Sequence, residues 1–198
     1  MTDIQQDGRA RRQQDIFDLN RTKLIDTAVD VINEVGDIRE VTLTQIAKEA
    51  GVSPATAYNH FPDRMEDVFS AIVHARMDVA ANMGATLADE SLSVIEKLKQ
   101  IPVTYAENLV SLGYAGKVIV VQMFNLVNVN KWLDQDPVQA ITALLSNSDQ
   151  YHDRADEIAV NMATAFRGAM FEYALNIGDH ELFNSCLLYT SDAADDIP

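Results

Sequence analysis

VTLTQIAKEAGVSPATAYNHFPDR, residues 41–64, decides the reading of this chain. Leu43, Ile46, Ala47 and Ala50 recur at the helical period, one apolar stripe on a short helix. Thr42 stands where a side-chain oxygen can cap the first turn, and Gly51 stands where a left-handed residue ends the helix. Two residues on, Ser53-Pro54 starts a second helix, serine as cap and proline at the first helical position. Ala47 and Gly51, four apart, are small where the two helices are expected to cross. The pattern predicts a helix-turn-helix, a unit that sets its second helix into the major groove of DNA.

Within that second helix the residues divide by chemistry. Pro54, Ala55, Thr56 and Asn59 occupy the turns from which base edges are read; Thr56 can meet a thymine methyl and Asn59 can bond adenine. Ala57 and Phe61 are expected in the core. Thr42 and Ser53 are caps first and phosphate ligands second, and Arg64 offers a phosphate a cation at the start of the next helix.

Outward from this segment, the run Arg21-Thr22-Lys23-Leu24-Ile25-Asp26-Thr27-Ala28 opens an apolar helix ending at Gly36, and another apolar helix carries Val68 and Ile72. Together with Thr42, Ile46-Ala47, Ala50-Gly51-Val52-Ser53, Thr56, Tyr58, His60-Phe61 and Arg64, residues 21–72 resemble the DNA-binding domain of the tetracycline-repressor (TetR) family. The family often has glycine where Ala55 stands and lysine where Arg64 stands; arginine keeps the charge. The resemblance implies that Tyr58 and His60 contact phosphates. It also implies an all-α fold, a three-helix helix-turn-helix domain over 19–75 followed by a helical domain that binds a small-molecule effector and forms a homodimer. In that family the last two helices pair with a partner's in a four-helix bundle.

The remainder is helical in pattern, without strand-like alternation. Residues 1–18, with Arg9, Arg11 and Arg12, read as a flexible arm able to reach a minor groove. Asp63 is placed to cap a fourth helix that carries Met65, Val68, Phe69, Ile72, Val73 and Met77 into a small-residue stretch near Ala80–Ala85. A fifth, near 91–112, carries Ile95, Leu98, Ile101, Tyr105, Leu109 and Leu112 on one stripe, with Pro102 expected to kink it. Gly113 and Gly116 precede an apolar run over 118–127, and Asp136-Pro137 with Gln139 has the spacing of a capped helix start. A last long helix over 154–177 bears Ala159, Met162, Ala163, Phe166, Ala169, Met170 and Tyr173, a stripe expected to need cover from a further helix near 179–183. Candidate effector contacts in the domain over 76–185 are Tyr105, Asn108, Met123, Phe124, Trp132, Met162 and Phe166, soft or amphipathic side chains at helical positions. Residues 186–198 are set apart: CLLYTSDAADD resembles a translated transposase adapter from library preparation, and the natural chain is expected to diverge after about Ser185.

Composition bounds the function. The 198 residues carry a net charge of −15, with 47% hydrophobic residues, enough to bury a core. Residues 1–80 hold nine Lys/Arg against fourteen Asp/Glu, so attraction for phosphate must be local, from Arg9, Arg11, Arg12, Arg21, Lys23, Lys48 and Arg64. A lone cysteine offers no disulfide framework, and neither a leader nor a membrane-length apolar run is read, so a cytoplasmic protein is expected. His60, His74, His152 and His180 are scattered without a metal-ligating pattern, and Gly113-Tyr114-Ala115-Gly116-Lys117 lacks the phosphate-loop spacing. No metal, cofactor or catalytic residue is therefore expected. The sequence points to a regulator, a repressor in the simplest case, that binds double-stranded palindromic DNA as a dimer. The other class open to it is a helical small-molecule-binding or protein-interaction module without DNA-binding activity.

Overall fold

The computed structural model describes residues 3–77, 79–125 and 137–175, and every regular element among them is helical. The chain forms two compact units, residues 1–72 and 73–198.

In the first unit, α1 (Asp3–Val35) ends at Gly36, whose φ of 69° and N–H bond to the Ile32 carbonyl make a left-handed stop. A single 3-10 turn (Ile38–Glu40) leads to α2 (Leu43–Glu49), a tight turn and α3 (Pro54–His60). α4 (Met65–Arg76) completes the unit, the boundary falling between Ile72 and Val73. Leu24, Ala28 and Ile32 of α1, Ile46 and Ala47 of α2, Ala57 and Phe61 of α3, and Val68 and Ile72 of α4 are fully buried together. The stretch expected to be a flexible arm is instead the start of α1: the helix runs unbroken from Asp3, with residues 8–19 exposed on every face.

In the second unit, α5 (Val79–Ala88) follows a break near Met77, so the fourth helix is shorter than its apolar pattern suggests. Ser93 and Glu96 form a reciprocal capping box at the start of α6 (Val94–Ser111), which continues through Pro102. Of the expected α6 stripe, Leu98, Ile101, Tyr105, Leu109 and Leu112 are buried. α7 (Tyr114–Asn125) approaches α6 so closely that a Cβ on Gly116 would lie 2.2 Å from the Leu109 carbonyl oxygen. α8 (Pro137–Ser146), a 3-10 turn (His152–Arg154) and α9 (Ala155–Leu175) follow, α9 packing on α7 and α8. Trp132, Asp136, residues 179–183 and the tail over 186–198 lie outside the described residues, as does the side chain of Phe124.

The stripe on α9 behaves differently from expectation. Ala159, Ala163, Phe166, Ala169, Met170 and Tyr173 are buried, where exposed apolar surface is expected of the stripe. The opposite face carries the exposed apolar groups, Val160, Phe171 and Leu175.

Candidate nucleic-acid interface

Two caps and one turn build the helix-turn-helix. The Thr42 hydroxyl accepts from the Gln45 N–H at 3.2 Å, and the Ser53 hydroxyl accepts from the Thr56 N–H at 3.1 Å. Between them, the Gly51 N–H donates to the Lys48 carbonyl and the Val52 N–H to the Ala47 carbonyl, the paired bonds of a Schellman stop. Gly51 is required for its φ of 66°; a Cβ there would meet open space. The close helix crossing expected of the pair Ala47 and Gly51 therefore belongs to Ala47 alone, which is fully buried.

α3 turns Ala57 inward and leaves Pro54, Ala55, Tyr58 and Asn59 exposed, with Thr56 half-buried. Thr56 also shares a hydrogen bond with Ser53 through their hydroxyls at 2.8 Å, which holds its methyl and hydroxyl in one orientation. Tyr58 is 40% exposed, and its hydroxyl lies 3.4 Å from the Thr44 hydroxyl, a long O–H···O contact across to α2. Thr42, Thr44, Gln45, Lys48, Glu49 and Pro54 line an open groove beside it. Thr44 and Gln45 escape a reading of the sequence alone. Their only signal there is a position in the first turn of α2, which the packing of α2 on α3 brings beside the start of α3.

His60 stands apart from the surface residues. It is only 5% exposed, and neither ring nitrogen has a hydrogen-bond partner. Its ring lies 3.9 Å from that of Phe17, centroid to centroid, and 6.2 Å from that of Phe61. The expected phosphate contact is thus not available to the imidazole, because α1 covers it. Burial holds its pKa below the ordinary 6.5, Arg21 nearby lowers it further, and Asp18 opposes both. Arg21 joins the same cluster: its guanidinium donates to the His60 carbonyl at 3.1 Å and lies 4.9 Å from the centre of the Phe61 ring. A cation is thereby placed on a terminal carbonyl of α3, the favourable end for positive charge.

Arg64 is exposed and takes a φ of 58°, a left-handed conformation uncommon outside glycine. Its N–H donates to the Phe61 carbonyl and its own carbonyl accepts from Val68, so it turns the chain from α3 into α4. At the start of α4 the Asp67 carboxylate accepts from the Asp63 N–H at 2.7 Å.

Of the candidate effector contacts, Tyr105 and Phe166 are buried and meet edge to face at 5.6 Å, joining α6 to α9. Asn108, Met123 and Met162 are half-buried. No group of three or more His, Cys, Asp or Glu able to hold a metal occurs among the described residues, and no described helix is long and apolar enough to cross a membrane.

Residues 24–72 match the profile of the bacterial regulatory proteins of the tetR family. The chain is 35% identical over 69 residues to the HTH-type transcriptional regulator BetI of Brucella anthropi, a match covering 35% of each chain. It is 36% identical over 78 residues to the protein of the same name from Klebsiella pneumoniae, covering 38% of this chain and 40% of that one. The aligned part spans little more than a third of the length of these relatives.

Proposed function

Since this chain belongs, through its N-terminal domain, to the tetR family of bacterial regulatory proteins, we propose that it is a ligand-responsive transcriptional repressor that binds a palindromic operator as a homodimer. One observation carries this reading: α3 is capped, held on its inner side by Ala57 and Phe61, and presents Ala55, Tyr58 and Asn59 outward beside Thr56. In this assignment Thr56 and Asn59 read bases, while Thr42, Ser53, Tyr58 and Arg64 meet phosphates.

The second unit supports the remaining parts of the reading. On α9, Val160, Thr164, Gly168, Phe171 and Leu175 are all exposed and fall within one narrow stripe at helical spacing. A Cβ on Gly168 would meet nothing within 4 Å, so a partner helix has room to approach closely there. Tyr105, Asn108, Met123, Met162 and Phe166, with Phe124 and Trp132, are the proposed effector contacts.

Selection of bound duplexes from a random DNA pool tests the proposal. The expected result is a two-fold symmetric sequence with half-sites about one helical turn apart, or a multiple of it. Recovery of no enriched sequence would overturn it.

A further inference from the structure

His60 is buried at the end of the base-reading helix, yet the assignment above gives it no part in binding. Its Nδ1 and Nε2 are both inaccessible, and neither has a hydrogen-bond partner. A neutral imidazole leaves one donor and one acceptor unsatisfied in that seat. An imidazolium would leave two donors and a buried charge, a far larger cost.

The seal over the ring is thin. Phe17 covers it at 3.9 Å but is itself 43% exposed. The turns of α1 before Phe17, residues 8–16, are exposed on every face, so little buried surface opposes their departure. Arg21, one turn further on, donates to the His60 carbonyl at 3.1 Å and ties the same part of α1 to the last turn of α3. The surrounding charges do not favour a proton on the ring. On α1, Arg21 repels it and Asp18 attracts it, and desolvation with Arg21 prevails. On α2, Lys48 and Glu49 line the groove beside Pro54, at the opposite end of α3. At the entry to α4, Asp63, Arg64 and Glu66 are exposed, and the Asp67 carboxylate accepts from the Asp63 N–H.

We propose that His60 is a proton-operated latch: acidification drives the imidazole out from under Phe17, releases the first half of α1 from α3, and lowers operator affinity. Only the last step rests on the DNA-binding reading above. Once charged, the ring gains hydration by leaving its seat, and it repels the Arg21 guanidinium on its own carbonyl. The last turn of α3 then loses both ties to α1. Tyr58 and Asn59, next to His60 on that helix, lose their fixed directions, and ordering them again on DNA costs conformational entropy. The sign follows from linkage. The closed form holds the ring neutral below its ordinary 6.5, whereas the open form, with a hydrated ring, takes a proton near 6.5. The closed form is therefore at full advantage above about 6.5 and loses ground as pH falls, by up to about tenfold per pH unit in each protomer.

Two measurements on the full chain test the latch, and the first needs no DNA. Amide exchange over residues 9–24 is followed from about pH 7.5 to about pH 5 in the parent and in His60→Phe, whose ring cannot take a proton. The two proteins are compared at each pH, so the intrinsic pH dependence of exchange cancels, and circular dichroism verifies that both stay folded. In acid the parent should lose protection in this segment at least about fivefold relative to the variant, while α2 keeps its protection in both. The second measurement titrates both proteins, over the same pH series, on a duplex recovered by the random-pool selection. Acidification should weaken the parent at least about fivefold more than the variant. Phe17→Ala, which opens the seat at every pH, should bind weakly already at pH 7.5 and show little of the parent's acid loss; it carries the same comparison if His60→Phe does not fold. A parent whose α1 stays protected in acid overturns the proposal. Opening without any difference in affinity between parent and variant overturns it as a control on DNA binding. If the parent binds no duplex at any pH, the DNA-binding reading falls, and the exchange measurement still decides whether the latch exists.

Discussion

At the scale of residues, Tyr58 and His60 show how two neighbouring ring side chains on one short helix divide their work. Tyr58 points outward, and its hydroxyl approaches Thr44 on α2, a partner that restricts where the phenol can point. Replacing Tyr58 by Phe should weaken operator binding by about 1 kcal/mol, roughly fivefold, with little change in sequence preference. Thr44→Val should cost less and act in the same direction. Gel-shift titrations read both, and parental affinity in the Tyr58→Phe variant would remove Tyr58 from the interface. His60 points inward, and its consequence is for stability. Its buried ring stays neutral below the pH at which an ordinary imidazole, near 6.5, takes a proton. The unfolded chain therefore binds more protons than the folded one as pH falls below about 6.5. Stability from this group is complete above that value and is lost on acidification. Urea unfolding at pH 7.5 and pH 5.5 should show a smaller acid loss for His60→Phe than for the parent; equal losses would refute the assignment.

At the scale of elements, two glycines do different jobs and should fail differently. Gly51 ends α2 in a left-handed conformation with open space beyond it. Gly51→Ala meets no atoms and should cost only the backbone penalty, about 1 kcal/mol. Gly116 lies where α7 crosses α6, and an added Cβ would stand 2.2 Å from the Leu109 carbonyl oxygen. Gly116→Ala forces the helices apart and should cost about 1–3 kcal/mol or more. Thermal unfolding of the two variants should rank them in that order, and a Gly116→Ala protein as stable as its parent would contradict the crossing. Expectations about elements fail where a pattern supports two structures. Arg9, Arg11 and Arg12 in a polar segment read as an arm, yet glutamine, arginine and alanine are also good helix formers, and the helix expected from Arg21 onward extends back through them to Asp3.

At the scale of the whole molecule, α9 has two apolar faces, and they have different roles. The face with Ala163, Phe166 and Tyr173 is buried in its own unit, while Val160, Phe171 and Leu175 remain exposed. If the second face joins two copies, Val160→Glu with Phe171→Glu places like charges across the symmetry axis while leaving the core untouched. Sedimentation should show monomers in place of dimers. Operator affinity should fall at least tenfold, since two recognition helices separated by about 34 Å bind together only when held together. A variant that remains dimeric would assign dimerisation to another surface.

Local and periodic features were legible in the amino acids alone. Thr42, Gly51, Ser53 and Pro54 specify the two short helices and their turn through caps, a left-handed stop and a fixed φ, effects that act within a few residues. The α6 stripe from Leu98 to Leu112 was legible for the same reason, since helical period alone assigns its face. Which polar residues of α3 reach solvent was settled only by packing between distant parts of the chain. His60 and Tyr58 look alike as candidates for phosphate, and only Phe17, far away along the chain, buries one of them. Packing also settled which face of α9 is core, because both faces are apolar and helical period cannot choose between them. That choice depends on where α7 and α8 pack, a long-range matter of excluded volume and buried area that no local pattern encodes.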